Sequence, residues 1–176
     1  MRSWNGWGDE GRQDSLSEAA LAFLREAVGP ATPPRDASLA QMLNAVPASR
    51  LTPVGVFATD AELRLRHACG QSFPDWIALR FGRIGAPADG VALPASHEEA
   101  AQALAEARRL GALVIPYGGG TSVVGHLKVP ASDRPVLNIS LERMDQLLDL
   151  DEKSWLARFG AGTPGPRVEA QLAQRG

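Results

Sequence analysis

In the stretch ALVIPYGGGTSVVGHLKVP, residues 112–130, a strand-like run leads straight into three consecutive glycines. Ala112–Ile115 has the short apolar run of a buried strand, and Pro116 and Tyr117 follow it. Gly118, Gly119 and Gly120 then remove every side chain, so the backbone can turn sharply and offer successive N–H groups to an anion. Thr121 and Ser122 add hydroxyl donors suited to phosphate oxygens, and Gly125 permits another close approach. Two common nucleotide loops do not fit. The P-loop ends in Gly-Lys-Ser/Thr, but His126 and Leu127 follow Gly125 and Lys128 comes two places late. The dinucleotide fingerprint opens a helix, whereas TSVVGHLKVP is β-branched and ends in proline, which predicts extended chain. An anion cradle and a purely structural turn are the two readings these residues leave.

Outward from the loop, strand–helix–strand is the local unit. Val91–Leu93 reads as a strand, Ser96 and Glu99 have capping-box spacing, and EEAAQALAEARRLG reads as a helix stopped at Gly111. Val136–Ile139 is a further strand. Leu147–Leu150 and Trp155–Phe159 flank a polar turn and predict a hairpin, and a last helix begins around Arg167. Upstream the pattern is helical. Ser15 and Glu18 predict a cap for LSEAALAFLREAV, which Gly29-Pro30 stops. Further helices are expected at Ser38–Val46, Ala61–His67 (capped by Thr59 with Glu62) and Pro74–Arg80, with PASRLTPVGVF as extended or irregular chain. The expected class is α+β: a mostly helical N-terminal extension over residues 1–86, then a mixed domain over 87–176. Because its last strands leave edges and apolar faces to cover, that domain is expected to be incomplete at the C-terminus. A small complete α/β domain is the alternative.

The 176 residues carry 18 Lys and Arg against 20 Asp and Glu, a charge of -2 that offers no field for nucleic acid. The hydrophobic content of 44% suits a folded chain. Cys69 is the only cysteine, so neither an internal disulfide nor a cysteine-based metal set can form. It reads as a buried hydrophobe, and no metal site is expected. No run is long enough for a transmembrane segment and MRSWNGWGDEGR lacks a signal peptide's apolar core, so a cytoplasmic setting is expected.

PYGGGTSVVG at 116–125 resembles the pyrophosphate-binding loop of the FAD-linked oxidases of the vanillyl-alcohol oxidase and p-cresol methylhydroxylase (PCMH) type. More narrowly it is similar to the alkyldihydroxyacetonephosphate synthase branch. GWGDE at 6–10 resembles the tryptophan-rich opening of that branch. HACGQSFPDWIALRFGRIGAPADGVALP at 67–94 resembles the lead-in and first strand of the FAD domain, and FGAGTPGPRVEAQLAQRG at 159–176 a second flavin-contacting segment. The resemblance implies the first part of a PCMH-type FAD-binding domain. It implies that Gly118, Gly119 and Gly120 hold the FAD pyrophosphate with Thr121 and Ser122, that Pro116 and Tyr117 shape the approach and pack near the cofactor, with Gly125 in the same binding set, and that Ala161, Gly162 and Thr163 lie near the flavin. Where some relatives attach FAD through a loop histidine this chain has Thr121, which implies a non-covalent cofactor.

The reaction implied is oxidation of a small-molecule substrate, a 2-hydroxy acid or similar alcohol, by hydride transfer to flavin. The synthase-like alternative is exchange of an acyl for an alkyl group without net redox change. A homodimer is compatible with either, catalytic residues are expected beyond Gly176, and these residues alone are expected to be inactive. A truncated non-catalytic fragment and a small anion-binding module are the competing classes. Among other candidates, His126 reads as structural or phosphate-side, and His67 beside Cys69 as no catalytic pair. Asp149, Asp151 and Glu152 read as a solvated hairpin tip. Trp76, Trp155 and the stripe Leu16, Ala20, Phe23 and Leu24 read as packing surfaces.

Overall fold

The computed structural model describes residues 3–6, 8–11, 15–32, 35–52 and 55–175; Trp7 of the tryptophan-rich opening and the terminal Gly176 lie outside the described residues. Helices α1 (Glu18–Val28), α2 (Leu39–Ala45), α3 (Ala61–Arg66) and α4 (Phe73–Arg80) fill the first half, interrupted by the short strand β1 (Phe57–Ala58). Strand β2 (Gly90–Ala92), helix α5 (His97–Arg109), and strands β3 (Leu113–Tyr117) and β4 (Val136–Ser140) follow. The hairpin β5 (Leu147–Asp151) and β6 (Leu156–Phe159) and helix α6 (Gly165–Ala173) complete the order.

The main sheet runs β1-β2-β4-β3, with β4 parallel to both β2 and β3 and β1 antiparallel on the edge. In α5, Ala103 and Ala107 lie four residues apart and are fully buried. Their small side chains let the helix close on Leu137 and Ile139 of β4, with Phe57 and Ala92 completing that cluster. The other sheet face carries Val136, Ile115 and Tyr117, covered by Ala88 and Leu127. A third cluster, Met42, Leu65, Ala68, Cys69, Leu79 and Ile84, joins the upstream helices, and Trp4 packs against it. Fully burying one Leu side chain such as Leu137 contributes about 2 kcal/mol, so these layers hold the strand ends in place.

Four expectations are corrected. The cap of α1 is Ser17, which accepts from Ala20 N–H, rather than Ser15. The cap of α3 is Asp60, accepting from Leu63 N–H at 2.9 Å, rather than Thr59, because a carboxylate adjacent to the helix start reaches the orphan amides directly. Trp155 sits at φ +56° in the β5–β6 turn and is 92% exposed, so it does not pack. None of α1 is buried, and its Leu16, Phe23 and Leu24 stripe is exposed rather than packed. The hairpin itself is as expected, and its tip is held by Asp151, which accepts from Lys153 N–H and from the amide and hydroxyl of Ser154.

Asp89 ties the two halves together just before β2. Its Oδ1 accepts from Arg50 N–H and Nε, and its Oδ2 from Arg50 at 2.7 Å and from Val136 N–H at 2.8 Å. Arg50 reaches on to the carbonyls of Ser132 and Arg134. Burial pushes the Asp89 carboxyl up, but its bonds from Arg50 and Val136 outweigh that and hold it below the usual carboxylate range. A value lowered in the folded state means the stabilisation is complete above the unfolded value of about 4 and is lost as pH falls through the folded one. Asp89→Asn is therefore expected to cost about 2 kcal/mol near pH 7, discounted for the half-exposed Arg50, and to flatten the loss of stability between pH 5 and 3. Urea midpoints across that range check it; a parallel acid limb in wild type and variant would contradict it.

Candidate functional site

The glycine loop leaves the carboxyl end of β3, where the parallel strands β3 and β4 finish together at the Tyr117–Ser140 pair. Open parallel sheets place ligands at this end of their strands. Gly118 and Gly119 are exposed and Gly120 is buried at φ +69°, a left-handed conformation that glycine adopts without strain. A Cβ on Gly118 would meet nothing within 4 Å, so open space fronts the loop. The amides of Gly118, Gly120, Thr121 and Ser122 donate to no other described residue. Undirected amides beside open space are what an anion cradle requires. Beyond Ser122 the chain bends and turns through residues 123–128 instead of forming the extended segment expected.

The loop is seated on the segment before α4. The Ser122 carbonyl accepts from Gln71 N–H at 2.6 Å, and a Cβ on Gly70 would lie 2.5 Å from that same carbonyl oxygen. Gln71 also accepts from the Trp76 indole through its side chain. Ser72 caps α4 in a reciprocal box with Asp75, and a Cβ on Gly125, which sits at φ +76°, would lie 4.0 Å from the Ser72 hydroxyl. Ser122 Oγ lies 3.3 Å from His126 Nδ1, which places His126 as a support of the loop. Pro116 and Thr121 are exposed.

Tyr117 points down instead. It is 2% exposed, donates its hydroxyl to the Arg66 carbonyl at 3.2 Å, and its ring lies 4.5 Å from that of His67. These two rings line a cavity of about 540 Å³ with Trp4, Leu65, Arg66 and Glu142. His67 Nδ1 meets the Leu63 carbonyl at 2.8 Å, and the His67 carbonyl accepts from Asn138 Nδ2 at 2.7 Å. Asn138 Oδ1 and Ser140 Oγ are fully buried and have no hydrogen-bond partner among the described residues. Local spacing sets His67 beside Cys69, but its ring packs on Tyr117, fifty residues away in sequence.

The second segment joins the loop through Leu141. Its N–H donates to the Tyr117 carbonyl at 2.9 Å, and its own carbonyl oxygen lies 1.7 Å from where a Gly162 Cβ would stand. Gly160 and Gly162 donate to the carbonyls of Gln146 and Met144, so the 160–163 turn lies flat on the turn after β4. Ala161 is exposed, while Thr163 spends its hydroxyl on the Gly160 carbonyl. The structure thus brings the glycine loop and the 160–163 turn to one end of the sheet. It directs Tyr117 inward and leaves Thr163 half-buried.

Cys69 lies beneath the loop and is 8% exposed. Burial, and then the nearby Asp75 carboxylate, push its thiol up to about 12 against the opposing pull of Lys128. Alkylation by iodoacetamide at pH 8 is expected only at the rate of unfolding. Fast modification of the folded chain, followed by mass spectrometry, would contradict this burial. Among the described residues no group of three or more His, Cys, Asp or Glu gathers to hold a metal, and no helix is long and apolar enough to cross a membrane.

Comparison with known proteins places these features. Residues 88–176, half of the chain, match a family described as "FAD binding domain". An alkyldihydroxyacetonephosphate synthase of Trypanosoma brucei brucei is 34% identical over 119 residues, 66% of this chain and 19% of the relative. One from Dictyostelium discoideum is 32% identical over 117 residues, again 66% and 19%. The chain thus spans about a fifth of the length of these relatives. A solved alkyldihydroxyacetonephosphate synthase superposes with a TM-score of 0.83 at 23% identity, over 99% of this chain and 39% of that one. The α+β fold and the family resemblance seen in the sequence are borne out. The cradle fits the cofactor: side-chain-free backbone, undirected amides and open space suit a pyrophosphate. The chain belongs to the FAD-binding domain family, and its cofactor is FAD.

Proposed function

We propose that the Gly118–Ser122 loop holds the pyrophosphate of FAD without a covalent bond. The observation that carries this is the set of amides at Gly118, Gly120, Thr121 and Ser122 that donate to no described residue, at the end of two parallel strands and beside the open space at Gly118. Phosphate oxygens take such amides better than water does, because the donors are already oriented and no side chain must be ordered. Thr121 and Ser122 add hydroxyls, and Pro116 and Gly125 bracket the loop. Tyr117 acts from below, fixing the loop's first carbonyl to Leu141 and filling the space under it. Gly160 and Gly162 let the second segment, with Ala161 and Thr163, approach the same strand ends.

Thr121 cannot form the histidyl bond that some relatives use. Denaturing the flavin-loaded protein is expected to release all flavin into the supernatant. Flavin absorbance that stays on the chain in detergent would overturn the non-covalent reading.

When bound, the flavin supplies the electron sink for the reaction. The protein's part is to fix the cofactor's phosphates, so that its ring is held at a constant place relative to substrate. For the reaction of the whole enzyme we infer two candidates from the family. One is hydride transfer from a 2-hydroxy acid or similar alcohol, the other acyl-to-alkyl exchange. The names of the relatives, alkyldihydroxyacetonephosphate synthase, favour the second. Product analysis separates them: a 2-oxo acid with reduced flavin supports oxidation, and an ether product with flavin unchanged supports exchange.

A further inference from the structure

We propose that Gly70 and Gln71, upstream of the 88–176 family match, are positioning residues for the cofactor loop, and that they turn the Val123 amide into a further phosphate donor. This rests on the pyrophosphate reading above.

One peptide plane, Ser122–Val123, links the two segments. Gln71 N–H holds the Ser122 carbonyl at 2.6 Å, and the peptide that follows is trans, as are all the described peptide bonds. In a trans peptide the carbonyl and the next residue's N–H point in opposite directions. Pinning Ser122 O down onto Gln71 therefore turns Val123 N–H up, away from the 70–71 floor. That N–H donates to no other described residue, and the Val123 side chain is 66% exposed. A donor held in this orientation by a bond on its other side costs little to reorient when an anion arrives.

Gly70 makes the hold possible. Its Cβ would lie 2.5 Å from Ser122 O and 3.2 Å from Ser122 Cβ, and the first contact is with backbone that cannot rotate away. Any side chain at residue 70 must lift the Ser122 carbonyl off Gln71. Because Gln71 acts through its main chain, its side-chain bond to Trp76 is a separate feature.

The test is an amide-shift titration of the isotope-labelled 176-residue chain with FAD. The expected result is that Val123 shifts in parallel with Gly118 and Gly120. Shifts at the glycines with none at Val123 would overturn this inference and leave the cradle reading standing. No shift at any of them would overturn both. In Gly70→Ala, FAD is expected to bind about tenfold more weakly with the Val123 shift lost, while Leu137 and Ile139 amides keep wild-type exchange protection. In Gln71→Ala, which keeps the N–H, affinity is expected within about twofold of wild type. Equal losses in the two variants would overturn the backbone pin, as would a Gly70→Ala chain that binds FAD normally.

Discussion

A Gly118→Asp variant is expected to keep the wild-type fold and bind FAD about 100-fold more weakly. Two structural facts separate these effects. A Cβ at this position meets nothing within 4 Å, and Gly118 is not among the left-handed glycines, so a side chain can be carried without strain. The carboxylate would stand in the space the pyrophosphate is proposed to enter. It would occupy the phosphate's place and oppose its charge at contact distance, at a combined cost of about 3 kcal/mol. Thermal unfolding followed by circular dichroism should be unchanged within about 2 °C. An FAD affinity within about threefold of wild type would mean the phosphates lie elsewhere.

Gly162→Ala is expected to act on structure instead. The added Cβ would fall 1.7 Å from the Leu141 carbonyl oxygen and 2.4 Å from its carbon, both backbone atoms. Overpacking against a rigid neighbour costs about 3 kcal/mol or more, which for a chain of this size lowers Tm by roughly 10 °C. Exchange protection should be lost first at Gly160 and Gly162, whose amides bond the carbonyls of Gln146 and Met144. Gly165→Ala is the control: it opens α6, meets nothing within 4 Å, and should leave Tm unchanged or slightly raised. Unaltered stability in Gly162→Ala would show that the 160–163 turn is not seated on the turn after β4.

Much of this was legible from sequence. The helix at Ser96–Arg109 was marked by a serine cap, acidic residues in its first turn and basic ones in its last, all local signals that the structure keeps. The glycine triplet after a strand was legible for the same reason, since backbone freedom is written directly in residue type. Caps were harder, because several Ser, Thr and Asp residues near each helix start compete; Ser17 and Asp60 won by adjacency. Gly70 and Gln71 gave no local sign, since their meaning is a contact with Ser122 across fifty residues. One signal was available in β4. In VLNIS, Asn138 and Ser140 share a face with Val136, and two polar groups on a buried strand face mark a place where something other than core packing is organised.

The amides of Gly118, Gly120, Thr121 and Ser122 are proposed to read the pyrophosphate. That role is tested most directly by titrating the labelled chain separately with FAD, ADP and riboflavin, and following the amides of Gly118, Gly120 and Thr121. Saturable downfield shifts with FAD and ADP, and none with riboflavin, are expected. Shifts driven by riboflavin, or silence with ADP, would contradict it.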